Sequence, residues 1–286
     1  MNKCLFVSDL HGSMSRYESL VRIIRLEKPD FVFIGGDLLP HKSIEGRPGF
    51  EGMRDFGRDY LLEKFRKLKV QMDCAYPDIF LIPGNDDRKD QLGALAVGET
   101  EELWINLNGR CKVIGKYRFY GYAFVPPTPF QLKDWEKYDV SRYVDPGCIP
   151  PTEGMRTALP EGEPEWDTMA RDLESLAGSD PLEFGIFLFH SPPYNCNLDR
   201  AALDGQMADH VPLDVHVGSI AIQRFIEVRQ PYLTLHGHVH ESTRLTGEWK
   251  QQFGRSLSFG AAHDGPELSV VIFELHNPQW AERKLV

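Results

Sequence analysis

The sequence predicts an α/β fold with a largely buried, partly parallel sheet. Short apolar runs rich in Phe, Ile, Val and Leu, bounded by Gly or Pro, resemble buried strands at residues 3–8, 30–37, 78–85, 183–190 and 231–238. Segments with helical spacing of apolar residues lie between them, at about 13–27, 54–70, 87–97, 166–177 and 218–229. Strands that alternate with helices are typical of a parallel sheet covered on both faces.

Two other segments have the alternation of polar and apolar residues that marks a half-buried strand. They are residues 112–124 and 256–275. We expect each to form an antiparallel hairpin, and the two together could form a second sheet.

A long stretch, 126–182, interrupts this pattern and is rich in Pro, Gly and acidic residues. A structureless loop of this length is unusual inside a compact domain. We treat the chain as a single domain, 1–286, with a surface insertion at about 126–182 that is either an excursion carrying one helix or a lid or specificity element. Its aromatic residues could form a wall for a nucleobase or pack the insertion onto the body: Phe130, Trp135, Tyr138 and Tyr143.

Composition narrows the class of protein. A net charge of −10 over 286 residues argues against broad, sequence-independent nucleic-acid binding, which needs many Lys and Arg at phosphates. It does not exclude an anionic substrate, because a bound metal ion can reverse the local field. Five cysteines without a CxxC pair predict free thiols in a reducing compartment. With no secretory leader and no long apolar stretch, we expect a soluble, cytoplasmic protein that associates with no membrane.

Polar side chains of similar chemistry follow each of the five strand-like runs. In chain order they are Asp9 and His11, then Asp37, then Asn85 and Asp86, then His190, then His238 and His240. Loops at the carboxyl ends of strands lie along one edge of a doubly wound sheet, so these side chains should converge. Mixed imidazole, carboxylate and amide ligands suit borderline divalent metals such as Mn, Fe, Zn or Co.

Each of these residues also has a simpler explanation when taken alone. Asp9 could cap the helix after it, although Ser13 competes for that position. Asp37 and Asn85 could be turn residues beside glycine, and His190 could be a hydrogen-bonded core histidine. Five such positions in order, each at a strand end, are harder to attribute to turns.

The ordered set resembles the signature of the calcineurin-like metallophosphoesterase superfamily. It is present as "DLH" (9–11), "GD" (36–37), "GND" (84–86), His190 and "GHVH" (237–240), so the resemblance spans nearly the whole chain. It implies a four-layer α-β-β-α sandwich with two mixed β-sheets, which agrees with the two groups of strands.

The resemblance also implies a dinuclear metal site. Asp9, His11 and His240 would hold one ion, Asn85, His190 and His238 the other, and Asp37 would bridge them. The ions would be two divalent transition metals, with manganese first and iron, zinc, cobalt or nickel as alternatives. Such a pair lowers the pKa of a bridging water, whose hydroxide attacks the phosphoester. His236 has no place in the pattern, and we assign it a structural role.

One position departs from the family pattern. The family usually has a histidine after Gly-Asn, whereas Asp86 stands there in this chain, and Asp87 keeps the acidic position that follows. Beside two cations Asp86 should be ionised and unable to donate a proton to a leaving group. His41 is then the first candidate for a substitute acid and His263 a weaker one, although either could be a surface histidine.

We therefore expect a hydrolase that acts on a phosphodiester or a phosphomonoester of a small molecule or nucleotide, with the diester preferred. The alternative is a metal-binding scaffold on the same fold with weak or no catalysis, which the change at Asp86 leaves open. The expected partner is a small phosphorylated substrate, without stable nucleic-acid binding. The sequence determines neither the substrate nor the oligomeric state, and a homo-oligomer is compatible with it.

Overall fold

Two six-stranded sheets packed face to face form the centre of the fold in a computed structural model that describes residues 2–41, 43–158 and 167–286. The strands are β1 (Lys3–Val7), β2 (Phe31–Gly35), β3 (Asp78–Ile82), β4 (Ile105–Asn106), β5 (Cys111–Ile114), β6 (Tyr117–Tyr122), β7 (Gly185–Phe189), β8 (Met207–Ala208), β9 (Val211–Pro212), β10 (Leu233–His236), β11 (Lys250–Phe253), β12 (Ser256–Gly260), β13 (Ser269–Glu274) and β14 (Asn277–Leu285). The helices are α1 (Met14–Glu27), α2 (Glu63–Met72), α3 (Gly93–Thr100), α4 (Met169–Ala177), α5 (Ile220–Arg229) and α6 (Ser242–Thr246).

Both sheets are mixed. The first has the order β14-β13-β1-β2-β3-β4, with parallel pairing from β1 to β4 and antiparallel pairing of β13 with β1 and β14. The second has the order β11-β12-β10-β7-β6-β5, parallel at its centre and antiparallel at both ends. Strands β8 and β9 form a separate short ribbon.

Alternate residues of the first sheet face two different layers. Leu5 and Val7 of β1 pack with the helices α1, α2 and α3. Cys4 and Phe6 face the other way, toward the second sheet, whose far side is covered by α4 and α5. Aromatic rings fill the space between the sheets, with the centroids of Phe80 and Phe119 4.9 Å apart. The result is the four-layer α-β-β-α sandwich that the resemblance implied, so the predicted fold class is confirmed.

The five apolar runs are strands, as predicted, but they are divided between the sheets. β1, β2 and β3 lie in the first sheet, and β7 and β10 lie in the second. The predicted helix at 54–70 begins with a π-helical turn, Gly57–Leu62, before α2. The first residue of the helix predicted at 166–177 lies outside the described residues, and α4 begins three residues later.

One predicted hairpin is present and the other prediction is wrong. β5 and β6, within 112–124, form an antiparallel pair at the edge of the second sheet. Residues 256–275 do not form a hairpin, because β12 joins the second sheet and β13 joins the first. Alternation of polar and apolar residues indicates a half-buried strand but does not identify its partner.

Capping settles one alternative. Ser13 is the N-cap of α1, with its hydroxyl accepting from the backbone N–H of Arg16, so Asp9 is not used as a cap.

All five cysteines are free, in agreement with the predicted thiols. In the part of the chain that the structure describes, no helix is both long enough and apolar enough to cross a bilayer.

Candidate metal centre and adjoining cleft

The polar side chains that follow the five strands meet at one end of the sandwich. The expected edge of a single sheet is instead a junction between two sheets, because their carboxyl ends lie at the same end of the molecule. The first sheet places Asp9, His11, Asp37 and Asn85 there, and the second places His190, His238 and His240. The structure thus brings together all seven residues that the resemblance implied as ligands.

Four of these residues form a tight group. Asp9, His11, Asp37 and His240 each offer one ligand atom, and these atoms lie within 4.8 Å of one another. The Nε2 atoms of His11 and His240 are 3.0 Å apart, and Nε2 of His240 is 3.3 Å from Oδ1 of Asp9. Carboxylate and imidazole atoms at this spacing can surround a single ion.

A second group lies on the other side of Asp37. Nε2 of His190 is 2.9 Å from Oδ1 of Asn85 and 3.4 Å from Oδ2 of Asp37. The ring of His238 packs edge-on against that of His190, with centroids 5.2 Å apart. Oδ2 of Asp37 is also 3.7 Å from Nε2 of His11, so this carboxylate faces both groups.

The backbone at this junction is held in an uncommon conformation. Asp9, His11, Asp37 and His238 all have positive φ, between 47° and 74°. Left-handed conformations of residues other than glycine cost about 1–3 kcal/mol each and persist where surrounding structure holds them. Here the N–H of Asp9 donates to the carbonyl of Gly36, and that of His11 donates to the carbonyl of Asp37. These bonds hold the two acidic loops together.

Glycine at position 84 is required by close packing at the centre. A Cβ on Gly84 would overlap Oδ1 of Asp37 and would lie 2.7 Å from Cε1 of His190. Any larger residue would therefore displace the carboxylate that both groups share.

The charges at the centre are strongly coupled. Burial opposes ionisation of Asp9, but hydrogen bonding by His240 and the charges of neighbouring imidazoles hold its pKa well below the usual range. Burial likewise opposes ionisation of Asp37, yet chiefly His190 lowers the pKa of that carboxyl to about 2. In turn, although burial disfavours the imidazolium, the carboxylate of Asp37 raises the pKa of His190 to about 10. A positive charge is thus favoured among these carboxylates.

The donor set fits divalent cations. Nδ1 of His190 is 2.7 Å from the carbonyl of Gly35, to which it donates, so Nε2 carries the lone pair of the neutral ring. In the metal-free chain that nitrogen is protonated and lies 2.9 Å from the Asn85 carbonyl oxygen, and a divalent cation held by the two atoms would take the place of the proton. Imidazole, carboxylate and amide donors together are those of borderline transition metals.

Asp86 lies at the rim of the same centre. Its backbone N–H donates to Oδ1 of Asp37 at 2.8 Å, and its Oδ1 accepts from the Asn85 amide at 3.1 Å. Oδ2 is 3.5 Å from Nδ1 of His11, and Oδ1 is 3.2 Å from Nδ1 of His41. Burial and the charge of Asp37 raise the pKa of Asp86 in the metal-free chain. Its ionisation beside bound cations stays a prediction.

The two candidate acids lie in different surroundings. His41 contacts Asp86 and its side chain is 55% exposed, so it can reach both the centre and solvent. His263 has its Nε2 3.2 Å from Oε2 of Glu267, and it does not line the cleft described below. Neither histidine lines that cleft, and His41 is the one of the two that contacts Asp86, so the identity of the acid stays a prediction.

Sequence reasoning missed the positioning role of Asp87. Its buried carboxylate accepts from the backbone N–H groups of Leu38, Leu39 and Gly84, which ties the loop after β2 to the loop after β3. Burial, with the charge of Asp37, raises its pKa to about 7. Gly84 is three residues from Asp87, but the other two partners, Leu38 and Leu39, are 49 and 48 residues away and leave no local pattern.

His236 is structural, as assigned. It is fully buried, with Nδ1 2.9 Å from the carbonyl of Ser191 and Nε2 2.8 Å from the hydroxyl of Thr234. A neutral ring satisfies both contacts, and burial lowers its pKa to about 4.

A cleft with a cavity of about 470 Å³ opens beside the centre and is lined in part by Asp37, Asn85, Asp86, His238 and His240. The insertion forms one of its sides, and residues 159–166 of that insertion lie outside the described residues. The four aromatics divide. Trp135 is buried in the core of the body, and Tyr138 is buried with its hydroxyl 3.1 Å from that of Thr152, whereas Phe130 and Tyr143 are exposed and line the cleft.

Comparison with known proteins agrees with this geometry. The family model "Calcineurin-like phosphoesterase" matches residues 3–242. The crystal structure of TT1561 of Thermus thermophilus is similar, with a TM-score of 0.59, 18% identity and coverage of 99% of this chain and 98% of that one. A second crystal structure aligns with a TM-score of 0.61, 17% identity and coverage of 100% and 98%. No curated protein matches the sequence.

The solved structures show a shared fold only, since their identity to this chain is low. The family match covers most of the chain and includes every strand end that carries a predicted ligand. The chain therefore belongs to the calcineurin-like phosphoesterase family.

Proposed function

We propose that this protein hydrolyses a phosphodiester, or less readily a phosphomonoester, of a small molecule or nucleotide, with two divalent transition-metal ions held by the seven junction residues. The observation that carries the proposal is the convergence of these side chains from both sheets, with Asp37 between two groups. One group is Asp9, His11 and His240, and the other is Asn85, His190 and His238. Manganese is the first choice of ion.

When bound, the ions would supply positive charge to the phosphoryl oxygens and lower the pKa of a water molecule. The chain would position them. Gly35 fixes the ring of His190 through Nδ1, and Asp9 accepts from the backbone N–H of His238. These contacts orient ligands before substrate arrives, which reduces reorganisation during the reaction.

Hydrolysis requires one proton transfer that the chain itself must support. A bond forms between the water oxygen and phosphorus as the bond to the ester oxygen breaks, and the departing oxygen takes up a proton. We propose His41 as the donor, because it contacts the rim of the centre through Asp86 and remains open to solvent. Asp86 would then position His41 and hold His11 in place.

The cleft supports a diester over a monoester. A monoester presents one alcohol and a dianionic phosphate, whereas a diester has a second arm that needs room beside the centre. The cavity of about 470 Å³ next to Asp37 provides that room. The net charge of −10 supports a small substrate rather than a long nucleic-acid strand.

The test is hydrolysis by metal-loaded protein. Bis-p-nitrophenyl phosphate and p-nitrophenyl phosphate should both be cleaved after loading with manganese, with higher kcat/KM for the diester. His240→Ala should abolish activity, whereas His276→Ala, at an exposed position away from the centre, should retain it. Absence of turnover by protein that carries the metal would favour the scaffold alternative.

A further inference from the structure

The composition of the cleft indicates which substrates the centre can serve. Its walls come from the insertion on one side and from residues 194–217 on the other. The insertion contributes Phe130 and Tyr143, whose side chains are 54% and 69% exposed, together with several prolines. Leu203, Leu213 and Val217 lie in the other wall. These surfaces match an apolar or aromatic group, because they would lose contact with water when it binds.

Apart from histidines, the charged side chains among the described residues of the cleft are acidic. Among the described residues that line it there is no lysine or arginine, whereas Asp145, Asp214 and Glu241 are present. Asp145 and Asp214 line the cleft from opposite walls, and burial, with the charge of Asp214, raises the pKa of Asp145. His216, a lining imidazole outside the metal centre, has Nδ1 2.7 Å from the buried carboxylate of Asp199.

Several of these carboxylates also have structural partners; Glu241, for example, accepts from the backbone N–H of Ala202. Asp139 caps α5 by accepting from the backbone N–H groups of Ile220 and Ala221, so it belongs to the fold. Asp214 accepts from the hydroxyl of Tyr194 at 2.6 Å and from the N–H of His216. No ion pair joins Asp145, Asp214 or Glu241 to a lysine or arginine within the described ranges. Within the described part of the chain, their negative charge therefore faces the cleft without a salt bridge to lysine or arginine.

We propose that the cleft accepts the uncharged, apolar or aromatic alcohol arm of a phosphodiester and excludes arms that carry a further phosphate. The inference rests on the proposed hydrolase function and names the substrate class of that site. The scissile phosphate would lie at the metal centre, where cations neutralise it. A second phosphate in the cleft would lose its hydration beside carboxylates and find no basic partner. Nucleoside diphosphates, dinucleotides and polynucleotides are thereby disfavoured.

A matched substrate pair tests the proposal. The p-nitrophenyl ester of thymidine 5′-phosphate and its 3′-phosphorylated counterpart share the reacting diester, the leaving group and the nucleoside, and differ by one phosphate. We expect the manganese-loaded enzyme to favour the first by roughly 10²-fold in kcat/KM, since like-charge contacts strongly suppress binding. Isothermal titration of the metal-free protein with thymidine and with thymidine 3′-phosphate, neither of which carries the diester phosphate, should show weaker binding of the phosphorylated nucleoside.

Two variants identify the cause of the discrimination. The double variant Asp145→Asn, Asp214→Asn should lower the preference for the unphosphorylated substrate, measured as the ratio of the two kcat/KM values, by at least about tenfold, because it removes both repelling charges. Glu282→Gln removes one charge on the exposed strand β14, near Lys284, and should leave the ratio unchanged. Equal kcat/KM for the two substrates, or a ratio that the double variant does not alter, would overturn the inference.

The outcomes separate this inference from the proposed function. If metal-loaded protein cleaves neither these esters nor bis-p-nitrophenyl phosphate, the hydrolase proposal fails, and the titration still tests the cleft. If it cleaves all of them at similar rates, the hydrolase proposal stands and the exclusion of charged arms fails.

Discussion

The imidazole of His41 lies 3.2 Å from the carboxylate of Asp86, measured from Nδ1 to Oδ1. Asp86 occupies the position where related phosphoesterases usually have a histidine, and the residue it contacts is itself a histidine from the loop after β2. The same carboxylate is 3.5 Å from Nδ1 of His11. An acidic residue at this position therefore stands between a predicted ligand and a solvent-exposed imidazole.

This arrangement predicts how the rate depends on the leaving group. If His41 donates the proton, wild type should show a flat dependence of rate on leaving-group pKa, and His41→Ala should make it steep. Aryl esters with good leaving groups should change little, whereas alkyl esters should lose about 10²–10⁴-fold, the usual contribution of general acid catalysis. The measurement is kcat for a series of diesters with wild type and His41→Ala.

Asp86→His is the complementary variant. In the His41→Ala background it should make the rate depend less steeply on leaving-group pKa. His263→Ala is the control, because His263 is paired with Glu267 and should not alter the slope. A steep series in wild type would mean that His41 does not supply the acid. If the rate of His41→Ala still depends little on leaving-group pKa, His41 is not the general acid.

Removal of the shared carboxylate should release both metals. Asp37→Ala should reduce metal content from about two ions per chain to well below one and abolish turnover, because Asp37 faces both groups of ligands. Plasma emission analysis after dialysis measures the ions, and circular dichroism checks the fold. Asp264→Asn, which disrupts a surface ion pair with Arg244, should keep both metal and activity.

Two aromatic residues of the insertion should respond differently to truncation. Trp135 is buried and its indole N–H donates to the carbonyl of Asp87, so Trp135→Ala should cost about 3–5 kcal/mol of unfolding free energy. Tyr143 is 69% exposed, so Tyr143→Ala should change stability by less than about 0.5 kcal/mol and raise KM for aryl diesters. Denaturant titration and steady-state kinetics give the two quantities. A parallel loss of stability and activity in Tyr143→Ala would contradict a role in the cleft.

The fold class and the junction residues could be predicted because their signals are local. Each predicted ligand follows a short buried strand, and Gly84 stands where a Cβ would overlap Oδ1 of Asp37. The family resemblance implied two sheets, but the division of the five runs between them, three in one and two in the other, was not predicted. The partner of β13 could not be predicted, since its alternation is compatible with either sheet. The contacts of Asp87 with the backbone of Leu38 and Leu39 could not be predicted either, because these residues are 49 and 48 positions away in the sequence.

Acid should destabilise the metal-free protein through His236. Burial lowers its pKa from 6.5 to about 4, so the unfolded chain binds a proton that the folded chain excludes. Stability should therefore fall as pH decreases from about 6.5 toward 4, by up to about 3 kcal/mol from this residue. Comparison of denaturant unfolding of wild type and His236→Gln across this range isolates the contribution, because the predicted ligands are common to both. Equal pH dependence of the two proteins would show that His236 does not exclude the proton.

The junction of two sheets also makes the proposed metal site sensitive to packing far from it. Four of the predicted ligands belong to the first sheet and three to the second, so the separation of the sheets sets the spacing of the donors. Phe80 and Phe119 pack between the sheets and offer no donor atom. Truncation of Phe119 should let one sheet shift against the other and weaken metal affinity. Because this coupling is reciprocal, bound metal should stabilise the packing of that core by the same free energy. The ions would then hold the two sheets together.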